Sequence, residues 1–192
     1  MKKLIATTLA STLVGIVAYA QGTVNFANLG VGLNAPVTLT DGTKAGGSYM
    51  AQLLAGATAT SLAPVGSPTA FLAAAPGYFN GGVQTIPGVA GGANGFFAIQ
   101  VWNSTSFSSF ATAKAANTAN SWGESGYNYA TGTLTPFQNV TGGVGSPATP
   151  PATLTGLTPF ALSPGGGVVP EPSTFALAGL GAAALMFFRR RK

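Results

Sequence analysis

The chain has no cysteine, no histidine and only three acidic residues among 192. Without cysteine there is no disulfide scaffold, no thiolate nucleophile and no Cys-based metal site. Without histidine the usual general base near neutral pH and the commonest nitrogen ligand are missing. Much hydrolase chemistry is excluded on these grounds alone. No catalytic residue, metal ligand or cofactor is expected. The length suits one domain once processing segments are removed.

Positive charge is concentrated at the ends. Lys2 and Lys3 open the chain, and Arg189, Arg190, Arg191 and Lys192 close it. Between residues 4 and 188 stand only Lys44 and Lys114, against Asp41, Glu124 and Glu171. The formal +5 therefore does not describe the body. Nucleic-acid binding needs a Lys/Arg stripe that neutralises several phosphates, and the body has none.

The first twenty residues have the layout of a secretory signal. Two lysines precede a largely apolar run at residues 4–17, and Ala18 and Ala20 put small side chains at −3 and −1 before Gln21. Cleavage is expected after Ala20, with the translocon and signal peptidase as partners. The alternative is a permanent anchor, but the run is short and strand-like sequence follows at once.

The other end has three parts in order. Val169, Pro170, Glu171 and Pro172 form a helix-averse tetrapeptide. Residues 175–188 carry no charge, and Arg189, Arg190, Arg191 and Lys192 follow. Counted from Pro172, the apolar stretch reaches 17 residues, at the lower limit of what a bilayer span requires. A transmembrane helix over about 172–188 is expected, with the terminal cations as a cytoplasmic stop. The alternative is a buried helix of the soluble domain.

Pro-Glu-Pro, the hydrophobic run and the Arg cluster together resemble the PEP-CTERM sorting signal of Gram-negative bacteria. The resemblance covers about an eighth of the chain. It implies that an exosortase recognises the tail after export and cuts it near residues 170–172. The body would then be released, or attached to surface or extracellular polysaccharide. The opening Gln21-Gly22-Thr23-Val24-Asn25-Phe26 also resembles the start of small exported proteins of this class in Verrucomicrobia-like bacteria. The implied route is an inner-membrane-anchored precursor that ends at the cell surface or in the extracellular matrix.

Residues 21–141 are the candidate exported domain. Strands are expected at Thr23 to Phe26, Val37 to Leu39, Tyr49 to Leu54 and Phe96 to Trp102, the last of them central. Weaker candidates are Phe71-Leu72, Tyr127 to Tyr129 and Leu134. Short strands separated by Gly, Pro and Asn point to a mainly β fold, a small β-sandwich. Residues 112–119 fit a short helix or a loop. Residues 142–169 are rich in Pro, Gly and Thr and read as a spacer. Alternatively Leu154, Leu157, Phe160 and Leu162 form a final strand that docks back.

The body offers Asp41 and Glu124 as its only carboxylates. Asp41 sits in a Thr-Asp-Gly turn, where an Asx hydrogen bond accounts for it. Glu124 is expected in an exposed loop. Trp102, Trp122, Tyr127 and Tyr129 are candidates for stacking on a glycan, or else are simply core and strand residues. The leading functional expectation is a non-enzymatic surface or matrix protein. The alternatives are a carbohydrate-binding module for exopolysaccharide and a polysaccharide-active enzyme.

Overall fold

The structure, a computed structural model, describes residues 21–143 and 149–166. The expected signal residues Ala18 and Ala20, the tetrapeptide 169–172, the apolar run 172–188 and the block 189–192 lie outside them. Gln21, expected to follow the cleavage site, is the first residue of strand β1 (Gln21–Ala27), in which Val24 and Phe26 are fully buried.

β1 leads into a two-residue ribbon, β2 (Leu29–Gly30) with β3 (Leu33–Asn34), and then β4 (Val37–Thr38). Four long strands follow: β5 (Tyr49–Gly56), β6 (Ala63–Ala70), β7 (Asn80–Ala90) and β8 (Asn94–Asn103). Next come the helix α1 (Phe110–Ala116) and β9 (Trp122–Glu124). A ribbon of β10 (Tyr127–Asn128) and β11 (Thr133–Leu134) precedes β12 (Phe137–Val140) and β13 (Gly142–Gly143). The C-terminal part adds β14 (Ala152–Thr153) and β15 (Phe160–Ala161).

Two strands act as hubs. β8 pairs antiparallel with β5 along its length, while its other edge is divided between β12 near Phe97 and β9 near Trp102. β1 pairs with β7 on one side and with β13 and β14 on the other, β14 running parallel. The central position expected for Phe96 to Trp102 is thus the one observed. Phe26, Leu53, Phe79, Ile86, Phe97 and Ile99 are fully buried in one core between the two hubs. Phe26 and Phe79 pack with ring centroids 5.0 Å apart.

Asn28, fully buried, ties this region together. Its Nδ2 donates to the carbonyls of Ala35 and Gly77, and its Oδ1 accepts from the Phe79 amide. Each polar atom of the side chain is paired, as burial of an amide requires.

The expected β-sandwich is not formed. The described strands fall into five separate sheets, three of them two-stranded ribbons, and none closes on itself. The reason lies in the second half of the chain. Strands after β8 are two to four residues long. Gly and Pro interrupt them, so they patch the hub strands (β9 and β12 on β8, β13 and β14 on β1) or form short ribbons instead of building a second continuous layer.

The expectation of a membrane-spanning helix is also corrected. No helix among the described residues is long and apolar enough to cross a membrane. α1 has seven residues, about 10 Å at 1.5 Å per residue. The stretch 172–188 and the anchorage drawn from it fall outside the described residues, and the inner-membrane-anchored precursor is not carried forward.

The spacer reading of 142–169 changes as well. Residues 149–166 form a strap that docks on the body. β14 pairs with β1 at Val24 and Asn25, and β15 pairs parallel with β4. Leu154, Leu157 and Leu162 are buried in the main core. The alternative, docking through Leu154, Leu157 and Leu162 with Phe160 half-buried beside them, is the one observed.

Candidate functional site

The four aromatics singled out in the sequence do meet. Register places Trp122 of β9 opposite Trp102 of β8, and Glu124 opposite Gln100. Alternation along a strand then puts all four side chains on one face. α1 covers that face. Ser109 caps its start by accepting from the Thr112 amide, while Thr112 returns the bond to the Ser109 amide. At its other end Asn117 takes the left-handed conformation, φ 44°, that an Asn tolerates after a helix.

The cluster is inward-facing. Trp102 and Trp122 are 6 % and 4 % exposed. Phe110, Tyr127 and Tyr129 surround Trp122 edge-on, at centroid distances of 5.8, 4.9 and 5.3 Å. Such T-shaped contacts align ring edges with ring faces. The tryptophans are therefore core residues, with little indole surface for a sugar ring. Tyr127 and Tyr129 are half-buried. Burial pushes the Tyr129 phenol above its ordinary pKa, and its Oη donates to the Ala161 carbonyl at 3.0 Å.

Glu124 is not in an exposed loop; it is 3 % exposed within β9. Lys114 Nζ lies 3.2 Å from Glu124 Oε2, and Gln100 Nε2 donates to Oε1 at 2.9 Å. The same ammonium sits 4.5 Å from the Tyr127 ring centroid and 4.7 Å from that of Trp122. A buried carboxylate held in this way satisfies the rule that buried charges be paired. Asp41 has its own partners: the Thr43 hydroxyl and amide donate to it and hold its carboxyl below the usual range. Each carboxylate is thus engaged locally. Among the described residues no three of His, Cys, Asp and Glu come together as metal ligands.

A shallow open groove of about 430 Å³ lies beside the cluster. Its walls include Gln52, Gln100, Trp102, Phe110, Pro64 and Pro68.

The last described residues of the strap lie at this cluster. Asn117 Oδ1 accepts from Trp122 Nε1 at 3.1 Å and from Ser163 Oγ at 3.2 Å. Asn117 Nδ2 donates to the Gly166 carbonyl at 3.3 Å, while the Gly166 amide donates to the Asn117 carbonyl at 3.4 Å. The Ser163 amide donates to the Trp122 carbonyl at 2.6 Å. Gly165, at φ +64°, passes so close to Ala119 that a side chain has no room. Asn139 performs a similar service earlier in the strap, donating to Thr153 and accepting from Thr155 and Gly156.

Sequence reasoning missed Asn117, Ser163 and Asn139. For Asn117 a signal was present, since an Asn after an Ala-rich helical stretch marks a left-handed cap. Asn139 and Ser163 act across long sequence separations, and nothing local marks them.

Residues 168–192 match the family model for the PEP-CTERM protein-sorting motif. No curated protein and no solved structure matches the chain.

Proposed function

We propose that this chain, whose residues 168–192 match the PEP-CTERM protein-sorting motif, is exported and sorted by an exosortase-type system, and that its body is a non-enzymatic surface or matrix protein released from its tail by cleavage near Pro170–Glu171–Pro172. The match over residues 168–192 carries this reading. Removal of residues 1–20 after Ala20 belongs to the same route, and it leaves Gln21 as both the new terminus and the first residue of β1.

The engagement of Glu124 by Lys114 and Gln100, and of Asp41 by Thr43, supports a non-enzymatic body. Fusing residues 165–192 to a secreted reporter tests the sorting step. The tail is expected to disappear in cells that contain the exosortase and to persist in cells that lack it. A tail unchanged in both would overturn the proposal.

The second reading is a carbohydrate-binding module for an uncharged exopolysaccharide. The groove favours it, because its amide, aromatic and proline walls suit a neutral polyhydroxylated chain. Pull-down on exopolysaccharide with Gln100→Ala and Phe110→Ala, two half-buried groove residues, separates the readings. Loss of retention in both supports the module, and no retention by the intact body removes it.

A further inference from the structure

The strap ends on the body immediately before the matched tail. Gly166 is held by two hydrogen bonds to Asn117, and only Gly167 separates it from residues 168–192. From Gly166 to Pro170 the chain advances four residues, at most about 14 Å when fully extended. An enzyme that cuts an extended peptide must hold residues on both sides of the bond. A folded body clamped this close competes for that space.

We propose that Asn117 is a positioning residue for tail processing: its clamp on Ser163 and Gly166 fixes where the sorting motif leaves the body, and the exosortase acts through transient opening of that clamp. The inference rests on the cleavage reading given above. Opening of the Gly166 contacts releases the chain back to Ser163, which is buried and bonded through its backbone to Trp122 and Asn120. The free reach to Pro170 then grows from four to seven residues, about 25 Å. The device is well suited to opening locally. The two bonds to Gly166, 3.3 and 3.4 Å long, lie on exposed groups, whereas Leu154, Leu162 and Ser163 keep the rest of the strap buried in the body. Local openings of this kind occur well below the free energy of global unfolding, and cleavage that waits on one tracks the open population.

Asn117→Gly is the informative variant. Glycine accepts the left-handed cap conformation, so the backbone is kept while the three side-chain bonds are lost. In cells that express the exosortase, tail removal from the full chain is expected to quicken about tenfold, the weight of one or two hydrogen bonds. Ser163→Ala removes one contact to Asn117 and is expected to give a smaller increase. Inserting six Gly/Ser residues after Gly166 is expected to quicken the native chain equally and to abolish the effect of Asn117→Gly. That rescue distinguishes positioning from mere destabilisation. An unchanged rate in Asn117→Gly, or an effect that persists with the insert, would overturn the proposal. Replacing Pro170, Glu171 and Pro172 by Ala serves as the separate control. If the tail is still removed at the native rate, the cleavage reading itself fails.

Discussion

Leu162 of the strap lies directly on Gly123 of β9. A Cβ at position 123 would come within 2.6 Å of Leu162 Cδ2 and 3.2 Å of its Cα. Gly123→Ala therefore pushes the strap outward. The expected loss is about 1–3 kcal/mol, the usual cost of overpacking. Denaturant unfolding of the two proteins measures it, and equal midpoints would refute a close seat.

The strap completes the core. Leu154 is fully buried and Leu162 nearly so. Leu154→Ala should cost about 2–5 kcal/mol. Ending the chain at residue 143 removes all three buried leucines, each contributing about 1.5–3 kcal/mol. That total rivals the whole stability of a small domain. Circular dichroism and amide hydrogen exchange of the truncated chain should show loss of the fold. A cooperative thermal transition retained by the truncated chain would count against this.

The Lys114–Glu124 pair gives a graded test. Lys114→Met preserves the stem over the rings and leaves the Glu124 carboxylate with Gln100 alone. Lys114 is partly exposed, with 38 % of its side-chain surface open, which limits the penalty to about 1–3 kcal/mol. The double variant with Glu124→Gln removes both charges and should recover most of the loss. A double variant no more stable than Lys114→Met would contradict the pairing.

Alkaline pH should weaken the fold through two phenols. Burial raises the pKa of Tyr49 and of Tyr129 above the ordinary 10.0. The unfolded chain therefore releases these protons first. The stabilisation is fully present below pH 10 and is lost as pH rises beyond it. Urea midpoints measured from pH 8 to about 11.5 should fall, and Tyr129→Phe should fall less steeply than the native chain. Parallel pH profiles for the two proteins would contradict the assignment.

The hub strands were legible because their patterns are strong. Phe96 to Trp102 has the apolar density of a central strand, and Thr23 to Phe26 alternates. β6 and β7 were not expected, because Pro64, Gly66 and Pro68 punctuate one and Gly81, Gly82, Pro87 and Gly88 the other. Among the described residues β6 is an edge strand, paired with β5 alone. There a proline costs no ladder bond and discourages edge-to-edge pairing.

The strap illustrates the limit of composition. Pro- and Gly-rich sequence reads as extended and free, and the strap is indeed extended. What composition does not reveal is that β1 leaves an edge open at Val24 and Asn25 for it to pair with. The aromatic cluster was legible as a set of residues, and for the tryptophans the core alternative is the one observed; what covers them was not legible. That depends on α1 lying across β8 and β9 with Ala113 fully buried beneath it.

Intact-mass spectrometry of the native cell-associated and released forms tests export and sorting most directly. Export followed by tail processing predicts a chain that begins at Gln21 and ends within residues 169–172, with any attached group seen as added mass. A mature form that still carries Met1 and the terminal Arg-Arg-Arg-Lys would contradict it.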